Sequence, residues 1–492
     1  MVRLPPTLAT ASLLLSAATP SPSQAIRNLQ VIQDEQVIGP QTINGLNFIY
    51  ATATSPDGKH VYTAAGLGSL TSSDNAVCTF SRDTEGLLTF VEAVFDNSDT
   101  NDPGTADGLY GSRDLVISPD GLHVYTAAFS EDKIGVLSRN PSTGALTFAS
   151  VVVNGGGLPL LDGVNSLAMT PDGSALFATA MHDDAVTAFT RNPGTGQLTY
   201  SDSGVRGNGG VTGMDRPVSV AVSPDGRHVY VAAGANNNAT GSDAISVFGW
   251  NSITGGLSFT ASYFEGQLQG ANTIDGLHWL SDVAVSPDGN HVYASGGIQI
   301  SGTDTDWIAI FSRDQGTGEL TWLSSIDFFQ HDLYNARSQH ETYVVVSPDN
   351  LRVFVTSASS AMVGFTRDPS TGALTFVDAD GFYDYLSNGI NLPRRFSLSP
   401  DGKHIYASGT ASNAVSVFGP ETPTIEILGV SAGRASLRIG RLNAGLPSRI
   451  EYGADLSALP GLHGFTPTTA SYDWLAPVVG DGTRGFFRAG LE

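Results

Sequence analysis

The sequence predicts an all-β chain whose main body is a closed seven-bladed β-propeller, with a small β module after it. Three observations carry that expectation. A turn reading SPDG, or a near copy, recurs seven times with its Pro at 56, 119, 171, 224, 287, 348 and 400. A unit of that length cannot bury a core alone and marks a ring or stacked array. Each copy then shows the same order of short apolar runs, as in VSVAVSPDG, RHVYVAA, a variable loop, DAISVFGW and GGLSFT. Gly is abundant, 57 of 492 residues, and charged residues make up only 14%, a balance that suits strands and turns better than helices.

The N-terminus, MVRLPPTLATASLLLSAATPSPSQA, has a basic Arg3, an apolar run from Leu8 to Ala18 and small residues at Ser23 and Ala25. This is the grammar of a secretory signal over 1–25, so a secreted or periplasmic location is expected. The run is too short to anchor in a bilayer, and no other long apolar segment follows, so no membrane span is expected. Residues 26–420 form the propeller. In each unit strand A leads into SPDG, strand B leaves it, and strands C and D flank a second turn such as SRDTEGLLTF or SRNPSTGALTF. Pro presets the first turn dihedral, Asp suits the next position and Gly accepts the left-handed one; Asn350 replaces that Gly in the sixth copy. Only six C–D turns exist, because the seventh unit stops at AVSVFGPETP. The unpaired segment Asn28 to Ile38 supplies the missing outer strand, closing the ring and hiding two sheet edges. Residues 421–492 read as four or more short strands, a β-sandwich-like module with a net charge of −1 against −22 for the rest.

The overall charge, −23, argues against nucleic acid and anionic membranes as partners. A small molecule, a carbohydrate or a protein on a loop face fits better. The single Cys78 falls in a strand slot filled elsewhere by Ser246 or Ser416, which makes it a packed thiol.

The repeated pattern VAVSPDG.HVYVA…AVSVF.R…TG.LTF resembles the lactonase-like, or YVTN-type, seven-bladed propeller family. That resemblance covers nearly the whole propeller and implies the fold. It also implies lactone hydrolysis, or its reverse, at the channel mouth. The closely spaced His pair that it would call for ahead of the PDG turn is absent, so no catalytic residue carries over by motif.

Repetition makes the sequence its own control. His60, His123, His228, His291 and His404 each sit two residues after the turn Gly, and five equivalent copies cannot converge on one site; they serve the scaffold. Asp57, Asp120, Asp172, Asp225, Asp288, Asp349 and Asp401 are likewise turn residues. His182, His278, His331 and His340 do not repeat. All four fall in B–C or D–A loops, the variable loops of one face, where function is expected.

Residues at the start of strand A should point to the channel mouth. Blade by blade these pairs are Tyr50-Ala51, Arg113-Asp114, Asn165-Ser166, Val218-Ser219, Ser281-Asp282, Thr342-Tyr343 and Arg394-Arg395. Arg113, Arg394 and Arg395 facing His340 and Glu341 could bind an anion while a base activates water. The plainer reading makes Arg394, Arg395, Asp114 and Asp282 inter-blade salt bridges. No cofactor is required. Ca²⁺ is the preferred candidate ion, on Asp96, Asp99, Asp102 and Asp107 of the loop DNSDTNDPGTADG, while His182 to Asp184 make a poorer set for a divalent metal. The preferred expectation is a scaffold that presents its loop face to a ligand or partner. The alternative is a 6-phosphogluconolactonase-like hydrolase or a lactone-forming cycloisomerase.

Overall fold

The computed structural model describes residues 27–419, apart from 39–40, 67–73, 98–105, 156–157, 235–242, 301–302, 329–340, 358–360 and 381–388, together with the backbone of six strands between 424 and 491. The expected signal segment, 1–25, lies outside the described residues. Seven four-stranded antiparallel sheets form the ring, and no helix occurs among the described residues. Their inner strands A are Ile49–Thr54, Ser112–Ile117, Val164–Met169, Pro217–Val222, Leu280–Val285, Tyr343–Val346 and Pro393–Leu398. Each lies beside the strand A of the next blade, the last beside the first. The N-terminal strand Arg27–Gln33 pairs with Ala414–Gly419 as the outer strand of blade 7, so the two ends of the propeller close one sheet.

A blade has no core of its own. The buried apolar residues form seven layers, each shared by two neighbouring blades; Ile49, Val61 and Phe80 of blade 1, for example, pack with Tyr406, Val415 and Val417 of blade 7. Strand B is covered on both faces, and all six residues of His60–Ala65 are buried. That explains why the B strands read as continuous apolar runs rather than as an alternation.

Five blade junctions are fixed by one repeated polar clamp. At the end of strand C in blade 2, Arg139 donates through Nε to Tyr62 Oη at 2.7 Å and through Nη1 to Gly121 O at 2.8 Å. Its Nη2 reaches Asp57 at 3.1 Å and His60 Nδ1 at 2.8 Å in blade 1. Tyr62 in turn donates to Gly144 O at 2.7 Å. Arg82, Arg191, Arg313 and Arg367 repeat the arrangement on Tyr406, Tyr125, Tyr230 and Tyr293 and on the matching histidines. The five scaffold histidines thus accept from a guanidinium, which requires the neutral ring. A Cβ on Gly144, whose φ is +79°, would strike the His60 ring, so the second turn needs glycine there for space as well as conformation.

Two junctions depart from the rule. Between blades 3 and 4 the tyrosine becomes Phe177 and the arginine becomes Trp250, and the rings meet edge to face with centroids 4.9 Å apart. Between blades 6 and 7 the cation changes sides: Arg352 takes the histidine position and donates to Gly402 O at 2.9 Å.

The chain divides at Pro420 into two units. The C-terminal strands make two three-stranded antiparallel sheets, one from Thr424–Ser431, Arg434–Gly440 and Ser471–Pro477, the other from His463–Phe465, Ser448–Gly453 and Phe486–Leu491. Cys78 is buried, and burial pushes its thiol well above the usual range, in keeping with a packed thiol.

Removing one clamp is expected to cost stability. Arg139→Ala orphans several buried partners and should lower unfolding free energy by about 3 kcal/mol, whereas exposed Arg227→Ala should change it by less than about 0.5 kcal/mol; urea titration of both variants checks this. Acid should act on the same groups. Burial and Arg82 hold the His404 ring down at about 4, against an ordinary 6.5. The unfolded chain therefore takes up this proton first, and stability is complete above about pH 6.5 and falls as pH drops toward 4. Melting temperature measured across this range should fall, and less steeply in His404→Gln.

Candidate functional site

Strand A begins with a β-bulge in six blades. The pairing register slips at Tyr50, Arg113, Asn165, Val218 and Ser281, and across Arg394-Arg395. A bulge leaves its extra residue out of the ladder and re-aims its side chain. Here the re-aimed residues converge on the channel mouth. A cavity of about 430 Å³ is lined by Tyr50, Arg113, Asn165, Val218, Ser281 and Arg395, one from each of six blades, with Glu341 and Tyr343 from the remaining one, blade 6.

Two residues before each bulge the backbone is left-handed: Phe48, Gly111, Gly163, Arg216, Trp279 and Leu392 all have φ between 48° and 72°. Bulky residues adopt this region at a cost, so the turn from loop into strand A is imposed by the surrounding scaffold. Arg216 and Trp279 use it to reach the cavity wall, alongside Phe129 and Met181 from the B–C side. None of these four stood out in the sequence. The slot is filled mostly by apolar residues or glycine, and its single arginine, in MDRPV, was the available signal.

The charges fall into two groups. Arg395 is consumed by the scaffold: it lies 3.2 Å from Asp282 and 3.7 Å from Asp114, donates to Val218 O at 3.2 Å and stacks over Tyr343. Burial opposes its charge, but the two carboxylates and Tyr343 outweigh it and raise its affinity for the proton. Burial pushes Asp114 and Asp282 above the usual carboxylate range, and Arg395 opposes that rise. Backbone N–H groups of Leu167 and Val344 and the Ser219 hydroxyl also hold the two carboxylates. Here the plainer reading, an inter-blade ion cluster, describes Arg395, Asp114 and Asp282.

Arg394 is buried beneath the rim, stacked over Tyr50 and paired with the Glu341 carboxylate, which also accepts from Tyr343 Oη at 2.9 Å. Both contacts fall on Oε2 of Glu341, and the side chain remains 46% exposed. Glu341 and Arg394 therefore meet as an ion pair between blades 6 and 7, while His340 and His331 lie outside the described residues.

Arg113 and Arg216 form the second group. Arg113 lies on Phe129, 3.4 Å from the ring centroid, and among the described residues its side chain hydrogen-bonds only to Asn165 Oδ1, at 3.4 Å. The Arg216 guanidinium contacts Met181 Sδ at 3.2 Å. Neither meets a carboxylate among the described residues. Burial lowers the Arg113 pKa, and the positive charge of Arg216 lowers it further.

The acid loop of blade 1 is also partly assembled. Asp96 and Asp107 approach Glu131, and Lys133 Nζ sits 2.7 Å from Asp107 and 3.2 Å from Glu131. A built-in ammonium thus meets that charge; Asp99 and Asp102 lie outside the described residues. His182 pairs with Asp162 at 2.8 Å and packs edge to face on Phe129.

Residues 95–214 and 245–383 match the family model described as a lactonase, 7-bladed beta-propeller. The chain belongs to this family. Within the matched lactonase segments lie Arg113, Asn165, Trp279, Ser281, Glu341 and Tyr343, whereas Tyr50, Arg216, Val218 and Arg395 fall outside them. A 6-phosphogluconolactonase of Enterobacter sp. (strain 638) is 20% identical over 340 residues, 68% of this chain and 85% of that protein. A putative 6-phosphogluconolactonase from Bacteroides fragilis NCTC 9343 is 21% identical, covering 69% of this chain and 85% of that one with a TM-score of 0.49. Hydrazine synthase of Kuenenia stuttgartiensis is 16% identical, covers 78% of this chain and 98% of that one, and has a TM-score of 0.52. The last likeness is one of fold.

The ion cluster predicts its own test. Arg395→Met strands two buried carboxylates and should destabilise the lactonase propeller by about 3–5 kcal/mol, and neutralising both in Asp114→Asn/Asp282→Asn/Arg395→Met should recover part of the loss; thermal unfolding of the two variants measures it.

Proposed function

We propose that the cavity hydrolyses an anionic sugar lactone, a 6-phosphogluconolactonase-like reaction. The observation that carries this reading is the pair of cavity guanidiniums, Arg113 and Arg216, with no carboxylate partner among the described residues. Two such forks in a partly desolvated cavity suit a phosphate or carboxylate. Membership of the lactonase family and the 6-phosphogluconolactonase relative support a hydrolase over the ligand-presenting scaffold that the sequence alone favoured.

In this reading Arg113 and Arg216 hold the anionic group, and the aromatic walls of Tyr50 and Trp279 flank the sugar ring. Glu341, oriented by Arg394 and Tyr343, takes a proton from water as its oxygen bonds to the lactone carbonyl carbon. The tetrahedral intermediate collapses with cleavage of the ring C–O bond, and the proton passes to the departing ring oxygen. The product is the open hydroxy acid.

Proton release on a panel of 6-phosphoglucono-δ-lactone, a carboxylated lactone and glucono-δ-lactone tests the reading. Arg216→Ala should raise KM for the anionic lactones at least tenfold and leave the neutral one unchanged. Glu341→Gln should lower kcat at least a hundredfold with its melting temperature largely kept. Undiminished turnover by Glu341→Gln, or equal loss on neutral and anionic lactones in Arg216→Ala, would falsify it.

A further inference from the structure

Two D–A loops of the ring are copies of one another, and the difference between them points to a metal. Asp34 to Phe48 reads DEQVIGPQTINGLNF, and Glu265 to Trp279 reads EGQLQGANTIDGLHW. Both fold into the same device. Each contains a two-residue ladder, Val37–Ile38 with Gln41–Thr42 and Leu268–Gln269 with Asn272–Thr273. The flanking backbone bonds repeat, Ile43 N–H to Gln36 O and Ile274 N–H to Gln267 O, each at 2.9 Å. In both loops the first acid accepts a backbone N–H from the following leucine, Leu46 to Asp34 at 3.1 Å and Leu277 to Glu265 at 2.7 Å. Both end in a left-handed aromatic residue, Phe48 or Trp279. The fold therefore uses the first acid in each copy. It does not need Asp275 or His278, because Asn44 and Asn47 occupy those places in the other loop.

In the second copy those two residues join the acid. One ligand atom each from Glu265, Asp275 and His278 lie within 4.8 Å of one another, and His278 Nε2 is 3.5 Å from Glu265 Oε1. Donors on a tetrahedral ion with bonds of roughly 2.1 Å stand about 3.4 Å apart. The geometry points to a divalent metal site of the zinc class, formed by Glu265, Asp275 and His278 in the loop between blades 4 and 5. Two carboxylates and an imidazole leave one position for water, and the nitrogen donor favours zinc over Ca²⁺ or Mg²⁺, which take oxygen ligands. The acid cluster of blade 1 makes a useful contrast, since Lys133 already provides its cation. Position gives the site its consequence. Trp279, Leu280 and Ser281 follow His278 directly and line the cavity, so an ion on this loop would pin that wall.

Titration of the metal-free full-length chain with Zn²⁺ alone, by calorimetry and by tryptophan fluorescence, tests the site without reference to activity. One zinc per chain is expected, with Kd weakened at least tenfold in His278→Asn and in Asp275→Asn and unchanged in Asp107→Asn. The two loop variants install the residues of the other copy, so the hairpin should remain folded; a melting temperature raised by zinc only in the parent chain would agree. No zinc binding by the parent chain, equal affinity in the two loop variants, or loss in Asp107→Asn instead would overturn the assignment.

Discussion

A guanidinium buried between two blades, hydrogen-bonded through all three of its nitrogens, sets the spacing of this ring. Arg139 shows why the interaction can bear that role: its side chain is 1% exposed, and its planar fork meets a tyrosine, a histidine, an aspartate and a carbonyl at once. A buried cation is stabilising only when its partners are numerous and fixed, and here a stereotyped turn supplies them. Because apolar layers lie between blades and not within them, a shift at one junction would propagate to the inner strands. The convergence of seven strand starts on one cavity rests on those junctions.

The scaffold then frees a few positions to vary. The bulge and the left-handed residue ahead of it are shared by six blades, so backbone geometry there is nearly constant while side chains change from blade to blade. Asn165, Arg113 and Ser281 occupy the same kind of place, as do Arg216, Trp279 and Leu392. Chemistry can be rewritten there without disturbing the turns on the opposite face. Regular scaffolds with variable loops tend to place function in this way.

Much of this was legible in the sequence because the repeats expose what is common. The seven blades, the closing strand, the scaffold histidines and the residues at the start of strand A follow from periodicity and turn chemistry alone. The clamp arginines were visible but not understood: Arg82, Arg139 and Arg191 recur in SRD, SRN and TRN, and only the fold reveals that each reaches back to the preceding blade. The division of the mouth charges was hidden for a different reason. Sequence spacing puts Arg394 and Arg395 side by side, yet one turns to Glu341 and the other into the Asp114–Asp282 cluster. Alternation along a strand allows this but cannot rank it. Arg216 was missed because its place is defined by a backbone dihedral, and the one signal of it in the sequence was a lone arginine in a slot otherwise apolar or glycine.

The two junctions that lack the common clamp interrupt its run around the ring. Blades 7, 1, 2 and 3 share the clamp as one arc and blades 4, 5 and 6 as another; an aromatic pair and the reversed Arg352 stand in its place at the two seams, and Arg395 spans both arcs at the mouth. Arg113 belongs to the first arc and Arg216 to the approach to the second. An anion gripped by both guanidiniums would bridge the seam between blades 3 and 4, adding to the hydrogen bonds that already cross it, such as Asn165 Nδ2 to Val218 O at 2.8 Å. Ligand and ring would stiffen together, and occupancy of the cavity would be felt as resistance of one arc to movement against the other.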